Sequence, residues 1–120
     1  ITDNFLGIEC VKFIGLEMTG NAAKNKNRVW ISSPDAFRVS KKAIDLLIGA
    51  GIDVGLYNFP LCAVDKMYRS LCEKSISDYK IRYTERCEKC CQKDACGGMF
   101  AGTVRLSKDD IIPLGKYKYD

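Results

Sequence analysis

Cys87, Cys90 and Cys96 form a C-x2-C pair followed, after five intervening residues, by a third cysteine and two glycines, Gly97 and Gly98. Two residues between thiols let both sulfurs converge on one metal centre from a tight turn. Glycines lack a Cβ, so their backbone N–H groups can approach a metal-bound sulfur and donate hydrogen bonds that tune it. A thioredoxin-like redox pair shares the C-x2-C spacing. Such a pair opens a helix beside a βαβ pattern, however, and here the motif comes after that pattern.

Zinc and iron–sulfur sites both want about four ligands, so a fourth cysteine must come from elsewhere. Cys62 is the candidate. It follows Asn58-Phe59-Pro60-Leu61 at the carboxyl end of an expected strand, the end where parallel-sheet proteins place functional residues. Cys91, next to Cys90, is expected to point away from a centre that Cys90 holds. Cys10, early in an expected strand, and Cys72, at an expected helix end, read as small buried hydrophobes. The chain has no histidine, which removes two-cysteine, two-histidine zinc fingers, a histidine general base and a Ser-His-Asp hydrolase. All-thiolate ligation remains. Structural zinc would close its site with four thiolates and have no redox role, whereas a cluster would carry electrons or bind substrate; spacing leaves both open.

Seven cysteines in 120 residues is a heavy load, and an odd number fits poorly with a secreted protein whose thiols pair off. The expected compartment is therefore reducing, the cytoplasm. The 19 basic and 15 acidic residues leave only +4, with lysines dispersed among acids. Four bound thiolates would offset that excess before the metal's own charge is counted. No long apolar stretch suggests a signal peptide or membrane span. The chain opens at Ile1 without a methionine, and the expectation is a fragment whose start lies upstream.

The elements that must position these residues are legible mainly before residue 60. Glu9 to Leu16 mixes alternation with a β-branched and aromatic run, as a strand buried on at least one face does. Asn21 to Arg28 is polar and aperiodic and reads as a surface loop closed by the Val29-Trp30-Ile31 anchor. Ser33-Pro34-Asp35 predicts a helix start, with Ser33 as cap and Pro34 at the first turn. Phe37, Ile44, Leu47 and Ile48 fall on one side of that helix, and Gly49-Ala50-Gly51 stops it. Ile52 to Tyr57 then predicts a second strand, giving a parallel βαβ unit. A helix is expected over Val64 to Cys72 with Met67 and Leu71 on one face, and Ser75 to Tyr83 reads as helical or irregular. Past Tyr83 the chain is dense in cysteine, glycine and charge, with too few large apolar groups for a core of its own, as in a segment organised by metal. The fold class read from this is α/β, followed by a small cysteine-rich, loop-rich segment.

Taken in order, Phe13-Ile14-Gly15-Leu16-Glu17-Met18, Val29-Trp30-Ile31, Tyr57-Asn58-Phe59-Pro60-Leu61-Cys62, the stretch from Lys74 to Lys80 and the final C-x2-C-x5-C-G-G-M-F resemble the C-terminal part of a radical SAM maturase, nearest to the HxsC-like maturases of His-Xaa-Ser systems. The likeness runs from about Phe13 to Phe100. It implies the last βα units of a partial (β/α) barrel over residues 1–60 and an auxiliary iron–sulfur segment of the SPASM or twitch type over residues 61–120. Carried over by position, the ligands of an auxiliary [4Fe-4S] cluster are Cys62, Cys87, Cys90 and Cys96. Gly15 and Glu17 resemble a strand end that contacts the cofactor. A full SPASM pattern has a further cysteine where this chain has Phe100, which favours the single-cluster twitch form. The C-x3-C-x2-C motif that would hold the S-adenosylmethionine cluster does not occur in the sequence. The implied partners are a peptide substrate and the N-terminal barrel portion of the same protein, and the parent enzyme would use S-adenosylmethionine. On this reading the 120 residues do not cleave S-adenosylmethionine alone, and exposed barrel edges would favour a homodimer of the fragment.

A competing reading from another class is a zinc-ribbon-like module gripping nucleic acid or protein through Trp30, Tyr79, Tyr83 and nearby lysines. No concentrated basic stripe supports it. A complete ferredoxin-like carrier is a third, against which stands a βαβ half larger than a cluster cage needs.

Overall fold

The computed structural model describes residues 4–115. Strand β1 (Cys10–Ile14) and strand β2 (Asp53–Tyr57) pair in parallel, with Cys10 opposite Asp53 and Ile14 opposite Tyr57. The ladder runs one bond further at each end, from Asp53 N–H to the Glu9 carbonyl and from Gly15 N–H to the Tyr57 carbonyl. A two-residue strand β3 (Cys72–Glu73) adds to the other side of β2, again parallel, giving the order β1-β2-β3. The protein is thus mixed α/β with a small parallel sheet. The expected strand–helix–strand order holds, while β3 lies where a helix end was expected.

Two short helices, α1 (Gly20–Lys24) and α2 (Lys26–Val29), occupy the polar stretch read as a loop. Neither buries a residue, so no hydrophobic period existed to announce them. Helix α3 (Ser33–Gly49) is the crossover between β1 and β2. Its cap is Ser32, one residue before the expected Ser33, and the Asp35 N–H donates to the Ser32 Oγ at 3.3 Å. Phe37, Ile44 and Leu47 are buried as expected, but Ile48 is 47% exposed: it falls on the helix's outer edge beside Gly49. Val11 and Phe13 of β1 and Val54 and Leu56 of β2 meet that face of α3. Strand alternation directs these four to one side of the sheet. Ile44 and Leu56 are fully buried, each worth roughly 1.5–3 kcal/mol over an exposed position.

After β2 the chain is mostly 3₁₀ turns. Lys66–Leu71 forms a 3₁₀ segment in place of the expected helix, and Met67 is 88% exposed instead of sharing a face with Leu71. With 3.0 residues per turn, positions four apart no longer coincide. Ser75 to Tyr83 is irregular around a 3₁₀ turn at Asp78–Lys80. Cys10 is exposed, against the buried position expected for it, because its side of β1 faces away from α3. Past Tyr83, helix α4 (Ala101–Ser107) and the buried residues Cys87, Met99 and Ile111 form a second, smaller apolar cluster. Sequence reading credited that region with no core. No helix among the described residues is long and apolar enough to cross a membrane.

Candidate functional site

Chain reversal at the end of β2 sets the first wall of the site. Asn58 takes a left-handed backbone, φ 64°, a conformation Asn tolerates better than most side-chain-bearing residues. Its amide Nδ2 donates to the Gly15 carbonyl at 3.0 Å, and its Oδ1 accepts from the Ser75 hydroxyl at 2.8 Å. A Cβ at Gly15 would lie 2.7 Å from the Asn58 carbonyl oxygen, so glycine there permits the close approach. Phe59 and Pro60 are buried behind this corner, and the 3₁₀ turn Leu61–Ala63 then presents Cys62.

The other three thiols come from two turns. Glu85–Lys89 is a 3₁₀ segment carrying Cys87, and the Cys90 N–H donates to the Cys87 carbonyl at 3.0 Å, the tight turn that C-x2-C spacing predicts. Cys96 closes the next turn through its N–H to the Gln92 carbonyl at 2.9 Å. Gly98, at φ +66°, passes so close to Ile81 that a Cβ would meet its Cγ2 at 2.6 Å. Beyond it, Met99 and Arg82 exchange both backbone hydrogen bonds, at 2.7 and 3.1 Å, and pin the cysteine segment to the preceding chain.

Cys62, Cys87, Cys90 and Cys96 line one pocket, closed by Tyr83, Met99 and the Ile111–Pro113 segment. The open space between the walls is tight, about 20 Å³, the room of a water molecule or two. Each of the four sulfurs has a hydrogen-bond partner. The Leu61 and Gly98 N–H groups both donate to Cys96 Sγ at 3.4 Å, and the Leu114 N–H donates to Cys90 Sγ at the same distance. The Thr84 hydroxyl lies 3.4 Å from Cys87 Sγ, and the Ile112 backbone hydrogen-bonds the Cys62 thiol. Burial raises the Cys62 pKa, the Ile112 hydrogen bond opposes the rise, and Cys96, Cys87 and Cys90 each push it further up. A cation bound in the pocket would favour the Cys62 thiolate against that burial. No group of three or more histidine, cysteine, aspartate or glutamate side chains among the described residues is arranged to hold a metal ion.

Of the remaining cysteines, Cys91 lies away from this pocket, as its adjacency to Cys90 predicts, and lines a second one together with Cys72. Gly15 lines a third, small pocket with Asn58 and Thr103, while Glu17 is exposed and forms no ion pair among the described residues. Neither is brought to the four thiols. Of the two glycines after Cys96, Gly98 donates to sulfur and Gly97 does not. The Leu61 and Leu114 donors escaped sequence reading because any residue but proline carries an N–H; Thr84 was missed too, although a hydroxyl three residues before Cys87 was a signal that could have found it.

Comparison with protein-family models, curated proteins and solved structures finds no match to this chain.

Proposed function

We propose that Cys62, Cys87, Cys90 and Cys96 hold an auxiliary [4Fe-4S] cluster, and that the chain is the C-terminal part of a radical SAM peptide maturase working in the cytoplasm. The observation that carries this reading is the gathering of four cysteines from three separate turns around one pocket, each sulfur already met by a hydrogen bond. Among the described residues, no hydrogen bond of this kind reaches Cys10, Cys72 or Cys91. Hydrogen bonds to sulfur are a principal means by which a protein sets the potential of a cluster. A cluster distributes its thiolates over several irons and so asks for less convergence than a single zinc ion, which needs every sulfur about 2.3 Å from one point. When bound, the cluster would supply electron transfer or a site for substrate.

The chain's own residues bind and shield. Tyr83, Met99 and Ile111 exclude water from the thiols, and the Tyr83 hydroxyl, donating to the Cys96 carbonyl at 3.3 Å, holds that turn in place. The Ile111–Pro113 wall of the pocket lies toward solvent, with Ile112 67% exposed. Sheet and crossover helix, on this reading, are the closing units of a partial barrel whose S-adenosylmethionine cluster belongs to the upstream portion.

The test is anaerobic purification followed by assay of iron, acid-labile sulfide and zinc per chain, beside Cys62→Ala and Cys87→Ala. About four irons and four sulfides are expected, lost in both variants. One zinc without sulfide would replace the cluster with a structural metal site. No metal in any preparation would end both readings.

A further inference from the structure

On the far side of Leu61 from the four thiols lies a second, open pocket of about 680 Å³, within the size range of small-ligand sites. Leu61 belongs to both walls, and its N–H is one of the two donors to Cys96 Sγ. The polar lining of this second pocket is unusual in sign. Lys66, Arg69, Ser70 and Gln92 contribute to it, and among the described residues no aspartate or glutamate does. Asp65, the acid next to Lys66 in sequence, is occupied by Lys41 at 3.1 Å. Neither Lys66 nor Arg69 enters an ion pair among the described residues.

Arg69 is the better defined of the two cations. Its Nε–H is shared between the Leu61 and Val64 carbonyls, both at 3.1 Å, which fixes the guanidinium against the turn that carries Cys62. The other four N–H donors of the fork find no acceptor among the described residues. A fixed guanidinium with unfilled donors is matched by a planar carboxylate, which accepts two parallel bonds. Leu61, Ala95 and Leu114 give the same pocket apolar wall, and its volume exceeds what a bare inorganic anion fills.

We infer that this pocket binds an acidic peptide segment, a carboxylate on Arg69 and Lys66 and the adjoining chain along Leu61 and Leu114, next to the cluster site. The anion preference rests on the pocket alone; the choice of a peptide as its carrier rests on the maturase reading above. Lys66 is exposed and touches none of the four thiols, so removing its charge tests the site without disturbing the cysteine turns.

The experiment is fluorescence anisotropy with a labelled, end-blocked pentapeptide carrying one central glutamate between alanines, against its glutamine twin. It uses the anaerobically purified protein, Lys66→Gln and Arg69→Gln, with iron and sulfide assayed on every sample. The glutamate peptide is expected to bind about tenfold more tightly than the twin, and each variant to lose most of that margin. Equal binding of the two peptides, or a margin unchanged in Lys66→Gln, overturns the site. Displacement by inorganic phosphate at the peptide's own affinity would leave an anion site and overturn the peptide. If the margin persists in protein lacking iron and sulfide, the cluster reading fails and the pocket stands; if iron is present and the margin absent, the reverse holds.

Discussion

Around α3 the chain buries Phe37, Ile44, Leu47, Val54, Leu56, Phe59, Ala63 and Val64 against one another, whereas around Cys87 the buried cluster is Cys87, Met99 and Ile111. The first group is a continuous apolar layer between helix and sheet. The second is three residues, one of them a thiol, with Cys62, Tyr83 and Val104 at its margin. Apolar burial alone can hold the first; the second needs something to bind its turns together, and the four sulfurs stand where that agent would sit. Folding of the cysteine segment is therefore expected to depend on a bound metal centre and folding of the βαβ layer not to.

The largest effect follows from removing one ligand. Cys96→Ala is expected to abolish iron and sulfide retention and to expose the Arg82 and Met99 amides to hydrogen exchange, while the α3 and β2 amides keep their protection. Chelation of the wild-type protein should give the same pattern, with the Leu114 and Cys91 amides among the first released. Uniform loss of protection across both regions would show that the βαβ layer also leans on the centre.

The converse probe is Ile44→Ala. Ile44 is fully buried, and its truncation is expected to cost about 3 kcal/mol in urea unfolding of the βαβ layer. Metal content per folded chain should stay near the wild-type value, since Ile44 belongs to the cluster around α3 and not to the thiol pocket. Loss of both together would erase the distinction between the regions.

Gly98→Ala strikes the boundary between turn and thiol. The φ of +66° and a Cβ contact of 2.6 Å with Ile81 together are expected to cost about 1–3 kcal/mol and to weaken metal retention, because the Gly98 N–H also serves Cys96 Sγ. Ser32→Ala removes only the cap bond to Asp35 and should cost about 1 kcal/mol with no change in metal content.

How much of this was legible in the sequence divides along the same line. Period and punctuation located β1, α3 and β2 to within a residue or two, because Phe37, Ile44 and Leu47 recur at helical spacing and the strands alternate onto that face. The C-x2-C turn was equally plain, since its geometry is local. What the sequence hid was non-local or unperiodic. The short β3 exists because Cys72 and Glu73 come alongside Leu56 and Tyr57, and nothing in a two-residue strand announces a partner. Helix α4 turns Thr103 and Ser107 inward, polar residues that a search for apolar stripes passes over. Beside the glycine donor that the motif announced, sulfur is met by backbone groups of Leu61, Ile112 and Leu114, placed by the turns that deliver them. Cys10 was misjudged because residue type says a thiol is often buried, while the face of the sheet on which it falls decides that it is not.

Cys72 offers the finest test, since it is a thiol packed against the apolar layer yet lining the pocket beside the cysteine turns. Burial pushes its pKa up from 9.0 to about 11, with Cys96 adding to the rise and Arg69 opposing it. A raised thiol keeps its proton in the folded chain at a pH where the unfolded chain has lost it. The stabilisation is thus complete below pH 9 and disappears as pH climbs through about 11. Because the group is only partly buried, the loss is expected to be at most about 1 kcal/mol. Urea unfolding of chelated protein at both ends of that range should show a steeper alkaline decline for the wild type than for Cys72→Ala. Equal slopes would mean that the thiol is as well solvated folded as unfolded, and that the apolar layer ends short of the cysteine region instead of running up to its edge.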